Sequence, residues 1–274
     1  MKRIAIFLTL ILVGNLASAQ FYVGVHGGAT LPKSFYGDSR MSDNEWMFTQ
    51  GHQHKAGAGR GWAAGLDIAY AMPFHPSLEV LLSADYMQSP VSRDVEDYYL
   101  ISYRHRYEHC AQYDMQLPQF RNIPVLAGVR YAYPVTNGVD LYGEALAGVN
   151  VRIITDWNFS FADASWTQTD GQTFGEYNNI DLKTYTNAST FAFRVGAGFL
   201  LKKKFSIGAS FCMLGSSPLC WDRTVVTRYS VYGDMVENTA TEHVNYHPVN
   251  PTMVTITAGF RLNPFGGSRH VQDW

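Results

Sequence analysis

The chain has 274 residues, of which 46% are hydrophobic and 14% aromatic but only 16% charged, with a formal net charge of -2. A balance so close to neutral excludes a nucleic-acid partner held by electrostatics. No apolar run is long enough to cross a bilayer as a helix, which takes about 20 residues.

The N-terminal residues read as an export signal. Lys2 and Arg3 form a basic start, residues 4–13 an apolar stretch, and Ala17-Ser18-Ala19 a small-residue cleavage site. The expectation is a cleaved segment 1–19 and a mature chain 20–274. No Cys stands at the cleavage point, which argues against a lipoprotein.

Past the signal, a period-two alternation recurs eight times. A strand with alternating faces has one oily side and one side of small or charged groups. The first strand, residues 21–28, turns Phe21, Val23 and Val25 out and Tyr22, Gly24 and His26 in. The second, 61–72, opposes Trp62, Ala64, Leu66, Ile68, Tyr70 and Met72 to Asp67. The third, 78–87, sets Leu78, Val80, Leu82, Ala84 and Tyr86 against Glu79, Ser83 and Asp85. The fourth, about 117–131, shows Ile123, Val125, Ala127, Val129 and Tyr131 outside and Gly128 and Arg130 inside.

The second half repeats the theme. The fifth strand, 139–152, carries Leu141, Ala145, Ala147, Val149 and Val151 outside and Asp140, Tyr142, Glu144, Asn150 and Arg152 inside. The sixth, 190–201, opposes Phe191, Phe193, Val195, Ala197, Phe199 and Leu201 to Arg194, Gly196 and Gly198. The seventh, 205–214, opposes Phe205, Ile207, Ala209, Phe211 and Met213 to Ser206, Gly208 and Ser210. The eighth, 254–262, has Val254, Ile256, Ala258, Phe260 and Leu262 on one parity and Thr255, Thr257, Gly259 and Arg261 on the other.

The connections alternate in length. Residues 73–77, 132–138 and 202–204 are tight turns, whereas 29–60, 88–116, 154–189 and 215–251 are long. Short periplasmic turns and long extracellular loops mark an outer-membrane barrel, whose termini fall on the periplasmic side when the strand number is even. Parity and loop length agree on an all-β fold, an eight-stranded antiparallel up-and-down transmembrane barrel with a short tail, 263–274. The competing fold is a soluble lipocalin-like barrel, with its oily face inside. That fold would have to place the charges of one parity on its exterior and crowd Phe191, Phe193 and Phe199 into a small lumen.

An eight-stranded barrel is just wide enough for its inward side chains to fill. Unpaired charge there costs several kcal/mol. The expectation is a lumen plugged by ion pairs among Arg130, Arg152, Arg194 and Arg261 and Asp67, Glu79, Asp85, Asp140 and Glu144, rather than an ion pathway or an active-site cluster. Aromatics near strand ends, among them Trp62, Tyr70, Phe74, Tyr86, Tyr133 and Phe205, suit interfacial girdles. The Lys202-Lys203-Lys204 turn reads either as a contact for phospholipid headgroups or as an ordinary solvated turn, and the plainer reading is preferred.

The remaining chemistry is sparse. Cys110, Cys212 and Cys220 allow one bridge and one thiol, and spacing does not decide the pair. His52 and His54 form one pair, His105 and His109 cluster with Cys110, and His243 and His247 stand in the last loop. A two-ligand pair falls short of a closed metal site, so no metal is expected. Tyr98, Tyr99 and Tyr103 lie in an aromatic run that is either a strand rising above the membrane or a contact patch for a protein partner. Barrel enzymes acting on lipid A need a nucleophile, a His and a carboxylate within reach. No spacing marks such a set, and the expectation is no enzyme and no cofactor.

The run Phe120-Arg121-Asn122-Ile123-Pro124-Val125-Leu126, followed by Arg130, resembles the fourth-strand signature of the Bacteroidota outer-membrane β-barrel family, the PorT-like and OmpX-like small barrels. The glycines from Gly143 to Gly148 and the Gly196-Ala197-Gly198 step resemble that family's fifth and sixth strands. Arg121 departs from it by falling on the lipid-facing parity, as if the strand has left the membrane there or carries a bulge. The resemblance implies a non-enzymatic integral protein of the outer membrane of a Gram-negative bacterium, sometimes an accessory of secretion or uptake machinery. It carries over no functional residues. The expected partners are outer-membrane lipid, lipopolysaccharide and a larger envelope protein complex. A free-standing surface adhesin or membrane-integrity barrel is the alternative, and a lipid A-modifying enzyme the next.

Overall fold

The computed structural model describes residues 20–37, 57–94, 110–163, 166–167, 173–174, 176–184, 188–231 and 234–263. In chain order these form β1 (Gln20–Lys33), the single-turn α1 (Ser34–Gly37), β2 (Gly61–Met72), β3 (His75–Pro90), β4 (Cys110–Gln116), β5 (Gln119–Thr136), β6 (Val139–Ile154) and β7 (Trp157–Asp163). There follow β8 (Trp166–Thr167), β9 (Thr173–Phe174), β10 (Glu176–Thr184), β11 (Ala188–Leu201), β12 (Phe205–Met213), β13 (Ser217–Val231), β14 (Asp234–Val249) and β15 (Thr252–Leu262).

Eight of these strands close into a barrel. Each pairs antiparallel with the next along the chain, β1-β2-β3-β5-β6-β11-β12-β15, and β15 returns to β1. They are the eight strands read from the alternation. The faces also agree: Val25, Leu66, Leu82, Val125, Val149, Phe191, Ile207 and Ile256 are exposed on the outer wall, while Glu79, Asp85, Arg130, Arg194 and Arg261 are buried within. Closure leaves no unpaired edge, and an apolar exterior of this kind is stable against hydrocarbon rather than water.

The short connections all lie at one rim. Two of the turns need left-handed backbone. Gly138 takes φ 92° between β5 and β6, where a glycine is free to do so. Between β11 and β12 two consecutive left-handed positions fall on Lys202 (φ 51°) and Lys203 (φ 55°), which costs about 1–2 kcal/mol for each residue with a Cβ. The Lys202 amide donates to the Gly138 carbonyl at 2.6 Å, tying the two turns together.

At the other rim the structure departs from the reading of long loops. β4, β7, β10, β13 and β14 form a second antiparallel sheet, in the order β14-β13-β10-β7-β4. Each continues a barrel strand after two or three residues: β4 leads into β5, β7 follows β6, β10 leads into β11, β13 follows β12 and β14 leads into β15. Hydrogen bonds cross the breaks, from the Thr155 amide to the Gln119 carbonyl (3.2 Å) and from the Leu214 amide to the Pro251 carbonyl (2.9 Å). Five of the eight barrel strands thus run on beyond the membrane, in the same neighbour order. Their alternation is invisible in sequence because water wets both faces, as the exposed run from Val236 to Thr241 shows.

Arg121 resolves in the same way. The β3–β5 register is the same below it, at Ala84↔Val125, and around it, at Met87↔Asn122, so there is no bulge. Arg121 donates to Gln119 at 3.1 Å, and Gln119 accepts from Gln88 at 2.9 Å. This polar band lies one step above the Trp62–Tyr86 ring contact, where the strand leaves the apolar zone.

Candidate functional site

The lumen is built in two layers. In the periplasmic half, strand register brings charges face to face. Arg130 on β5 lies directly opposite Glu144 on β6 and Glu79 on β3. It donates to Glu144 at 2.7 and 3.1 Å, and lies 3.6 Å from Asp67 and 3.9 Å from Glu79. Arg261 clamps Glu79 through both terminal nitrogens, at 2.7 and 3.2 Å. Arg194 donates to Asp85 at 2.7 Å and stands 3.4 Å from Glu144. Two aromatic rings complete this layer: Arg261 lies 4.0 Å over Tyr22, and Arg130 4.8 Å over Tyr142.

His26 joins the same network, a role that parity alone does not assign. Its Nε2 is 2.5 Å from Asp85 and its Nδ1 3.4 Å from Asp67. An imidazolium there makes four cations, with Arg130, Arg194 and Arg261, for the four carboxylates Asp67, Glu79, Asp85 and Glu144. The signal is present in the alternation, since five inward carboxylates face only four inward arginines and His26 has inward parity.

Glycines make room for this crowding. Gly65 lies opposite both His26 and Asp85 in the ladder. A Cβ on Gly65 would come within 2.5 Å of the Asp85 carboxylate and 2.6 Å of the His26 ring. Gly198 and Gly208 likewise leave space for the Tyr142 hydroxyl.

Two of the nine charged residues lie outside the network. Arg152 sits eight residues further along β6 than Glu144, a rise of about 27 Å at roughly 3.4 Å per residue. There it donates to the Gly215 carbonyl at 2.9 Å, in the extracellular half. Asp140 is buried at the periplasmic mouth, where it lines a cavity of about 80 Å³ with Tyr22, Glu79, Lys203 and Arg261.

Above the charges an apolar cluster shares the lumen with the hydrogen-bonded pairs Asn122–Asn150 and Thr30–Ser89, a grouping not distinguished in the sequence. Met87, Leu126, Leu146, Cys212 and Met253, inward on their strands, and Leu214 just past the end of β12 form this cluster and are essentially inaccessible to solvent. α1 then folds Tyr36 into the mouth, where its ring meets Phe120 edge-on at 5.6 Å. Burial pushes the Tyr36 phenol above its usual range, so it stays neutral. Cys212 is a buried free thiol in this layer. The side chains of Cys110 and Cys220 lie outside the described residues, as do His52, His54, His105, His109, His247, Tyr98, Tyr99 and Tyr103, the leader 1–19 and the tail beyond Asn263.

The extracellular sheet carries the remaining polar constellation. On one face of the β13–β14 hairpin the cross-strand pairs are Asp222–His243 (2.8 Å), Thr224–Thr241 (3.1 Å) and Arg228–Glu237 (2.8 Å). Such pairs fix register and contribute modestly. Among the described residues, no group of three His, Cys, Asp or Glu side chains comes together as a metal-ligand set.

No protein-family model and no curated protein matches the chain. Among solved structures it is similar to Ail, the attachment invasion locus protein of Yersinia pestis, crystallised with the heparin analogue sucrose octasulfate. The identity is 14% over 89% of this chain and 99% of that one, with a TM-score of 0.34. A major outer membrane protein from Thermus thermophilus is 12% identical over 88% and 99% of the two chains, at a TM-score of 0.35. At these scores the fold rests on the strand pairing itself. A closed antiparallel barrel with an apolar belt, short turns at one rim and long excursions at the other spans the outer membrane of a Gram-negative envelope.

Proposed function

We propose that this protein is a non-enzymatic, non-conducting barrel that displays its extracellular sheet as a rigid platform for a protein partner, as an accessory component of a larger envelope assembly. The observation that carries this reading is the continuation of five barrel strands into one sheet whose outer strands, β4 and β14, pair with no further described strand. An open edge offers backbone donors and acceptors to an added strand. A sheet rooted in a closed barrel loses little freedom when it binds. Tyr98, Tyr99 and Tyr103 precede the open β4 edge in sequence and are proposed as part of the same contact.

Two features support a closed lumen. The charges answer one another, and the cavities left between them, about 20 and 10 Å³, each have room for about one water. Above them, buried apolar side chains pack beside polar ones that bond within the barrel, among them Asn122 with Asn150 and Thr30 with Ser89.

The test is purification from gently solubilised outer membranes, with and without the β13–β14 hairpin. A stoichiometric partner lost on hairpin removal is the expected result. A lone barrel whose sheet binds surfaces with no stoichiometric partner overturns the assembly role in favour of an adhesin. Large, stable conductance steps in planar bilayers overturn the closed lumen.

A further inference from the structure

The turn between β11 and β12 is built against its own local preference. A two-residue hairpin turn with left-handed backbone at both positions is best served by Asn and Gly, and the neighbouring turn has a glycine, Gly138, at its single left-handed position. Here Lys202 and Lys203 take that geometry, and Lys202, Lys203 and Lys204 are all exposed. Three of the seven lysines in the chain are thereby placed on one turn. A turn that needed only to be solvated would be served without strain by an Asn-Gly pair. Residues that keep a strained backbone where an unstrained choice exists point to a role beyond folding.

We propose that Lys202, Lys203 and Lys204 form a docking surface for the phosphate of an anionic phospholipid headgroup in the periplasmic leaflet. Depth supports this. Phe205 follows the turn directly, is half exposed and packs on Phe260 at 5.1 Å, while Phe74 and Tyr133 stand exposed near the same rim. Aromatics of this kind sit at headgroup level, and lysine stems reach outward from there to place their ammonium groups among phosphates. Charge supports it as well. Lys203 lines the mouth cavity with the buried Asp140 and Glu79, and among the described residues of this rim no exposed carboxylate stands beside Lys202 or Lys204. Each lysine near an anionic surface adds roughly fivefold to affinity, and three together about a hundredfold.

The test uses the whole protein in vesicles of phosphatidylethanolamine containing either phosphatidylglycerol or phosphatidylcholine, followed by native mass spectrometry of the extracted barrel. The wild type is expected to retain phosphatidylglycerol over phosphatidylcholine, with the preference lost at high salt. The K202N/K203G/K204N variant is expected to lose that preference by about a hundredfold while its heat-modifiable gel shift moves to higher temperature, because the strain is gone. The K202R/K203R/K204R variant keeps the charge and keeps the lipid. Equal phosphatidylglycerol retention by the Asn-Gly-Asn variant overturns the proposal, and so does loss of retention in the arginine variant.

Discussion

Replacing Arg130 with methionine removes one cation from a buried network of four and four. Arg130 is only 6% exposed, so solvent does little to screen the loss. With an effective dielectric near 20, a unit pair at the 2.7 Å Arg130–Glu144 separation attracts by about 6 kcal/mol. The Asp67 and Glu79 contacts at 3.6 and 3.9 Å attract by about 4–5 kcal/mol each. Desolvation offsets most of this gross attraction, and breaking a buried pair from one side costs about 3–5 kcal/mol net. Glu79 retains Arg261, and Asp67 retains His26, so Glu144 is the group left worst served. Removing it too, as R130M/E144M, restores balance: Asp67, Glu79 and Asp85 then face Arg194, Arg261 and His26. The double variant is expected to lose less than about 2 kcal/mol, although each single change costs more. Urea unfolding in lipid vesicles, followed by tryptophan fluorescence, measures all four corners of the cycle. Additive losses, or a single Arg130 loss below about 1 kcal/mol, would refute the reasoning.

Other perturbations test other layers. Gly65→Ala drives a methyl group between His26 and Asp85 and is expected to destabilise by about 1–3 kcal/mol in the same unfolding assay; a change within about 0.5 kcal/mol would mean the network has slack. Leu66→Arg, on the outer face opposite Val25, is expected to cost about 2–4 kcal/mol in lipid, and tolerance of the charge would contradict the assigned parity. Leu126→Ala opens the apolar cluster and is expected to cost about 2–4 kcal/mol without raising single-channel conductance if the charged layer beneath closes the lumen as proposed; new conductance would locate the seal in the apolar cluster alone. Asp222→Asn breaks an exposed pair with His243 and is expected to shift unfolding by less than about 1 kcal/mol, which a larger loss would contradict.

The barrel is legible in sequence because lipid and lumen impose opposite demands on alternate residues. Where both demands act, as from Leu78 to Met87, parity names the face of every side chain. Where water bathes both faces the signal vanishes, and Asn238-Thr239-Ala240-Thr241-Glu242 reads as loop although it is central to β14. The β1 strand extends to Lys33, past the Gly28 end read from sequence, paired with β15 as far as Lys33↔Thr252, with Thr30 buried in the lumen. Within the lumen, parity names inward residues but not their height. Height depends on strand register, which is why Arg152 and Asp140 carry the right parity yet stand apart from the network. It is also why parity does not separate the apolar layer of Met87, Leu126 and Met253 from the charges below it.

The Arg261–Glu79 clamp joins residues 182 positions apart. Until β15 arrives, the first seven strands hold Asp67, Glu79, Asp85 and Glu144 against Arg130, Arg194 and His26 alone. An unfinished barrel therefore carries a surplus negative charge on its inner wall, a burden that hydrocarbon opposes. The last strand of the barrel both seals the hydrogen-bonded seam to β1 and delivers the missing cation. Closure and neutralisation are one event, so the chain is suited to the bilayer only once it is complete.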